Sequence, residues 1–166
     1  MDSIRISSIS KDNNENFYIG TRSDHGIIVL SEKGMKVDQY FPLLPDPVSG
    51  KIPRTIVGEI AVDKSDRLWI PLYNVGLSTF SLVDKKFELH TPDPNNKNSL
   101  SDAQIETIMI DNSGAIWLGA ARSLMNHDSE KKKFSLISNS QKADIKSSYD
   151  EKWGLFFDSD DNLWAG

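Results

Sequence analysis

Residues 111–120 read DNSGAIWLGA. An acidic residue opens a short polar turn, and an apolar run carrying Trp117 and Gly119 follows it. Whether this marks a site or a fold depends on how often it recurs. Four stretches align without a gap: ISKDNNENFYIG at 9–20, IAVDKSDRLWIP at 60–71, IMIDNSGAIWLG at 108–119 and LFFDSDDNLWAG at 155–166. Column one of the twelve holds Ile9, Ile60, Ile108 and Leu155. Column four holds Asp12, Asp63, Asp111 and Asp158. Column ten holds Tyr18, Trp69, Trp117 and Trp164. Successive aspartates lie 51, 48 and 47 residues apart, and three of the four Trp share one column. A residue repeated at a fixed period is a building block before it is a catalyst, and such periods belong to solenoids, propellers and arrays.

Composition narrows the field. The 166 residues are 38% apolar and 26% charged, which suits a globular chain. A formal net charge of −5 argues against nucleic acid or an anionic membrane as partner. With no Cys there is neither a disulfide frame nor thiolate chemistry. No apolar run reaches the ~20 residues of a membrane helix. The opening MDSIRISSIS has no signal-peptide core.

The unit itself reads as four short strands. ETIMID alternates and is β-branched; DNSG is turn chemistry; AIWLGA, LMNHD and FSLIS are three further strands. EIAVD, RLWIP, GLSTFS and KFELHT repeat the plan, as do RISSIS, NFYIG, GIIVLS and KVDQYF. Helical periodicity is absent. Four-stranded units repeated radially are propeller blades. The reading is therefore all-β: a partial β-propeller of about three and a half four-stranded blades spanning 1–166. Blade one covers 4–44, blade two 55–92 and blade three 104–138, and 149–166 starts blade four. A stack that stops in mid-blade leaves apolar faces uncovered. The chain is then a piece of a longer protein, or it closes with a second copy. Pro71, which lacks an N–H, belongs at a strand end or bulge.

The repeat "I-x-x-D-x-x-G-x-L-W-I-G-T, then G-L-x-x-F/Y" resembles the two-component regulator propeller repeat. GIIVL (26–30) and GLSTF (76–80) match its second half, and KWGLFFDSDDNLWAG (152–166) is an especially close copy. Pro71 in place of Gly, AARSL at 120–124 and Tyr18 in place of Trp depart from the pattern. The resemblance implies a seven-bladed propeller in the extracytoplasmic, periplasmic sensor of a hybrid two-component histidine kinase that responds to oligosaccharides. It also implies a natural start upstream of Met1. The segment would carry no catalytic residues and no cofactor, with the kinase elsewhere in a longer chain. Its partners would be a small-molecule or oligosaccharide ligand and the remaining blades or a second copy.

Candidate residues follow from this plan. The column-ten aromatics should pack blade on blade rather than stack on sugars, so that Trp117→Ala costs roughly 3–5 kcal/mol. The column-four aspartates should cap their turns. DSDDN at 158–162 lacks the calcium-loop pattern, so no metal is expected there. The loops after the second strands hold Arg22, Asp24 and His25, then Tyr73 and Asn74, then Arg122. Brought to one rim, they would offer an aromatic, an amide and two guanidiniums to sugar hydroxyls. His90 and His127 have no partner suggesting a dyad. Two alternatives remain: a protein-interaction scaffold, and an enzyme resembling the streptogramin-lyase propellers, with His25 as its loop-face base.

Overall fold

The computed structural model describes residues 4–22, 26–31, 33–40, 57–121, 123–139, 154–160 and 162–165. Residues 41–44, 55–56 and 149–153 of the expected blades lie outside the described residues, as does Trp153. Each repeat is organised around its column-four aspartate. Asp12 Oδ1 accepts the backbone N–H groups of Asn14 and Asn16 at 2.8 and 2.9 Å. Asp63 Oδ1 does the same for Ser65 and Arg67, and Asp158 Oδ1 for Asp160 and Asn162. Asp111 Oδ1 takes the Ala115 N–H and the Ser113 hydroxyl. The other oxygen, Oδ2, accepts the column-ten donor: Tyr18 OH at 2.9 Å, then the indole N–H of Trp69 at 2.8, Trp117 at 3.0 and Trp164 at 2.8 Å. The carboxylate thus caps the turn and also fixes the aromatic ring six residues on. The third residue after the aspartate takes a left-handed backbone, with φ of 65° at Glu15, 55° at Asp66 and 92° at Gly114. Glycine takes this backbone without steric cost, and the third repeat has Gly114 there.

Among the described residues the chain is all-β. Strands β1 (Ile6–Lys11), β2 (Phe17–Thr21), β3 (Ile27–Leu30) and β4 (Lys36–Tyr40) form the first sheet. Strands β5 (Ala61–Val62), β6 (Arg67–Leu72), β7 (Gly76–Ser81) and β8 (Lys86–His90) form the second. Strands β9 (Ile105–Ile110), β10 (Ile116–Ala120), β11 (Ser123–Asp128) and β12 (Lys133–Asn139) form the third. Strands β13 (Leu155–Phe157) and β14 (Leu163–Ala165) make a two-stranded fourth. Within each sheet the strands run antiparallel in chain order.

Period-two alternation gives every sheet two apolar faces, and the sheets stack through them. Tyr18, Ile27 and Val29 of the first sheet bury against Ile60, Leu68, Ile70, Leu72 and Phe80 of the second. Trp69 and Leu77 of the second bury against Ile105, Ile108, Ile116, Leu118 and Met125 of the third. Tyr18 and Trp69 are 3% and 1% exposed, as expected of packing residues. Trp117 is only half-buried, with its edge toward Phe157 of the fourth sheet at 6.1 Å. Trp164 departs from the expectation and is 62% exposed, because no described sheet follows it.

Column twelve shows why Pro71 is tolerated. The pairing of the first two strands slips by one residue at the same place in all three complete sheets. The slips fall at Gly20/Thr21 in the first and Gly119/Ala120 in the third, and in the second between the Ala61–Trp69 and Val57–Leu72 pairs that flank Pro71. Pro71 O accepts the Gly58 N–H at 2.8 Å, so the N–H that proline lacks would point into this bulge. A bulge leaves a residue unpaired, which suits proline. Between the second and third sheets, Leu100 of the 91–104 connection is 2% exposed and plugs the apolar joint.

Candidate functional site

The first strands of the sheets lie side by side and are tied by polar contacts near their starts. Ser8 Oγ donates to the Gly58 carbonyl at 3.1 Å and accepts the Ile60 N–H at 3.1 Å. One sheet further on, the Thr107 hydroxyl donates to Glu59 Oε2 at 2.8 Å. Ser8, Glu59 and Thr107 occupy the same position, one residue before column one, so the tie is a repeated feature. Glu106 sits one residue earlier, and its Oε1 accepts the Gln104 side-chain amide at 2.8 Å.

Ser8, Glu59 and Glu106 line a cavity of about 280 Å³ together with Ser7, Ile9, Gly58 and Arg22. Its walls come from the first three sheets, and it carries two carboxylates, one guanidinium and two hydroxyls. Arg22 is exposed, and its backbone N–H is held by the Arg5 carbonyl at 2.8 Å, which anchors the residue beside the cavity it lines. Such a set can hydrogen-bond a ligand rich in hydroxyls or one carrying both charges. Among the described residues, no group of three or more His, Cys, Asp or Glu side chains could hold a metal.

Of the six loop residues singled out from sequence, Arg22 reaches this cavity. Tyr73 and Asn74 form the tight turn joining β6 to β7, closed by the Val75 N–H on the Leu72 carbonyl at 3.0 Å. Asn74 has φ of 57°, and Tyr73 is 49% exposed. Neither lines the cavity, so the expected gathering of the loops at one rim does not extend to them. Asp24, His25 and Arg122 lie outside the described residues. Sequence reading passed over Ser7, Ser8, Glu59 and Glu106 because they precede the aligned columns. The available signal was that strands apolar at column one turn polar just before it.

The two described histidines lie elsewhere, in the joint between the second and third sheets. His127 is 6% exposed, with its ring 4.8 Å from Trp69 and 4.7 Å from Phe134. Burial, with His90 and Arg67 nearby, pushes it down to about 4. Its Nδ1 has no hydrogen-bond partner among the described residues. His90 packs on Phe134 at 5.3 Å, with its Nε2 3.3 Å from the Thr79 hydroxyl, and burial lowers its pKa too. They are packing residues in a core and have no access to the cavity lining.

No protein-family model matches the sequence, and no curated protein matches it. Solved structures do match. The extracellular domain of BT3049 from B. thetaiotaomicron, assigned as a hybrid two component system, superposes with a TM-score of 0.78 at 16% identity. That match covers 100% of this chain and 22% of BT3049's. The extracellular domain of BT4673 from the same organism, also assigned as a hybrid two component system, gives 0.66 at 15% identity over 98% of this chain and 20% of its own. Virginiamycin B lyase from Staphylococcus aureus, catalytically inactive and with quinupristin, gives 0.69 at 14% identity, covering 98% and 48%. The chain therefore spans about a fifth of the two extracellular domains and about half of the lyase. At these identities the likeness establishes the fold: all-β and of the propeller type.

Proposed function

We propose that this chain is an extracytoplasmic, periplasmic ligand-sensing segment of a hybrid two-component sensor histidine kinase, and that its ligand is an oligosaccharide. The observation that carries the reading is the polar cavity, because its groups come from three successive sheets of one rigid stack. A sugar bonded to Arg22 of the first sheet, Glu59 of the second and Glu106 of the third would bridge the blades. It would favour the blade arrangement that fits it, and a kinase elsewhere in a longer chain would read that population shift. The likeness to extracellular domains of two component systems supports the same reading.

Calorimetric titration against a panel of neutral, acidic and amino oligosaccharides tests it. A binder should emerge, and Arg22→Ala and Glu106→Gln should each weaken it by about tenfold or more, the scale of one charged hydrogen bond. Binding unaffected by both variants would remove the cavity from the account. The likeness to virginiamycin B lyase supports a second reading, a lyase acting through His25. Turnover of quinupristin with Mg²⁺, abolished by His25→Ala, would favour it. Neither binding nor turnover would leave a protein-interaction scaffold.

A further inference from the structure

The charges that line the cavity do not balance. Two carboxylates, Glu59 and Glu106, face one guanidinium, Arg22. Among the described residues neither carboxylate forms an ion pair. Each is engaged through one oxygen. The Thr107 hydroxyl donates to Glu59 Oε2 and the Gln104 amide to Glu106 Oε1, both at 2.8 Å. The second oxygen of each has no hydrogen-bond partner among the described residues. Thr107 follows Glu106 in the chain, so its bond to Glu59 brings the two carboxylate-bearing strands together.

The rest of the lining adds acceptors. Ser7, Gly58 and Glu106 share one column, two before column one. A Cβ at Gly58 would lie 2.9 Å from the Cβ of Pro71, so the bulge leaves the second sheet only backbone at that position. What it presents is the Gly58 carbonyl, which accepts the Ser8 hydroxyl at 3.1 Å. An ionised carboxylate accepts and cannot donate, and a carbonyl has two lone pairs to offer. Against these stand the Arg22 guanidinium and the hydroxyls of Ser7 and Ser8.

On the basis of the oligosaccharide reading above, we infer that the sugar held here is an amino sugar with a free amine, whose ammonium donates to the open oxygens of Glu59 and Glu106. An ammonium brings three donors and a positive charge, which complement this lining. A uronate would bring a further negative charge to two carboxylates and find one exposed guanidinium. An N-acetylated unit would bring one N–H and no charge. Arg22 and the two serines fit ring hydroxyls, whereas a simple polyamine would be repelled by the guanidinium. At about 280 Å³ the cavity is at the small end of ligand pockets, which suits one unit of a longer chain.

The test is calorimetric titration of the 166-residue chain with glucosamine trimer, N-acetylglucosamine trimer and galacturonate trimer, and with spermidine as an amine that is not a sugar. Glucosamine trimer should bind about tenfold tighter or more than the other three. Its binding should weaken as pH rises and the amine loses its proton. Glu59→Gln and Glu106→Gln preserve side-chain shape and the oxygen that accepts Thr107 or Gln104, and circular dichroism confirms that each is folded. Each should shrink the preference for the free amine. Arg22→Ala should weaken the sugars and leave that preference in place. Equal or tighter binding of the N-acetylated or galacturonate trimer overturns the inference and leaves the oligosaccharide reading standing. A preference unchanged in both glutamine variants, or spermidine binding as tightly as glucosamine trimer, overturns it as well. If no oligosaccharide binds, the reading falls and the inference falls with it.

Discussion

Trp69 and Trp164 occupy the same column, and each donates its indole N–H to the aspartate six residues earlier at the same 2.8 Å. Trp69 is 1% exposed and Trp164 62%. The bond survives the loss of burial unchanged, so the turn, the carboxylate and the ring form a local device that twelve residues encode by themselves. Burial is added from outside, by the first strand of the next sheet. The same contrast marks the receiving column, where Ile60 is 4% exposed and Ile9 62%. What the repeat specifies is the pose of the ring; what stabilises the stack is the neighbour that covers it.

The largest effect should come from removing that covered ring. Trp69→Ala empties a site enclosed by the second and third sheets and should cost roughly 3–5 kcal/mol in denaturant unfolding. Trp164→Ala should cost under ~1 kcal/mol. Trp117, half-buried against Phe157, should fall between them, below the 3–5 kcal/mol expected from sequence. Equal costs at 69 and 164 would break the comparison.

A pH effect sharpens it, since His127 stands at the third-sheet position that Phe80 fills in the second and Leu30 in the first. Of the two buried joints, only the one between the second and third sheets carries a titrating group there. Burial comes first in holding its pKa at about 4, against an ordinary 6.5, followed by His90 and Arg67, with Asp128 and Glu88 opposing. A depressed histidine binds fewer protons folded than unfolded between those values. Its stabilisation is therefore complete above about pH 6.5 and is lost as pH falls toward 4. The loss should be up to ~3 kcal/mol from this residue. His127→Phe should flatten the pH profile in that window. An unchanged acid limb would mean that the joint does not hold the ring neutral.

How much of this was legible follows from the same division. The repeat, the four-strand order and the capping aspartates are local, and the columns displayed them. That Trp164 is exposed was not legible, because column membership records pose and not cover. The cavity was legible only in part. Arg22 stood out as a charged loop residue, whereas Glu59 and Glu106 belong to strands and become neighbours only when three sheets stack. Tyr73 and Asn74 sit in a tight strand-to-strand turn outside this cavity, a placement the sequence does not display because such a turn and a binding loop share polar residues.

The next effect down concerns the device itself. Asp63→Ala removes the acceptor of two backbone N–H groups and of the buried Trp69 indole, and should cost about 2 kcal/mol. Asp158→Ala removes the equivalent bonds in an exposed setting, where water replaces them, and should cost less. In the folded chain the Trp164 indole, followed by Asn162, draws the Asp158 carboxyl down to about 2. That contribution should persist to lower pH than an ordinary aspartate allows, fading only as pH falls from 3.8 toward 2. A titration of Asp158 by NMR reads this directly.

The smallest effect runs the other way. Asp66 holds φ of 55° at the turn position that Gly114 fills in the third repeat. A side chain there crowds the backbone, although aspartate tolerates it better than most residues. Its Oδ1 is also buried without a hydrogen-bond partner among the described residues, while its backbone carbonyl accepts the Leu82 N–H at 2.9 Å. Asp66→Gly would keep that backbone bond, relieve the conformation and remove the unsatisfied oxygen. Against this, glycine gives the unfolded chain more freedom to lose. The balance should be a gain of about 0.5–1 kcal/mol, read as a higher unfolding midpoint with an unchanged denaturant slope. A loss of stability would mean that the Asp66 side chain holds the turn, and that the glycine of the repeat reflects something other than backbone conformation.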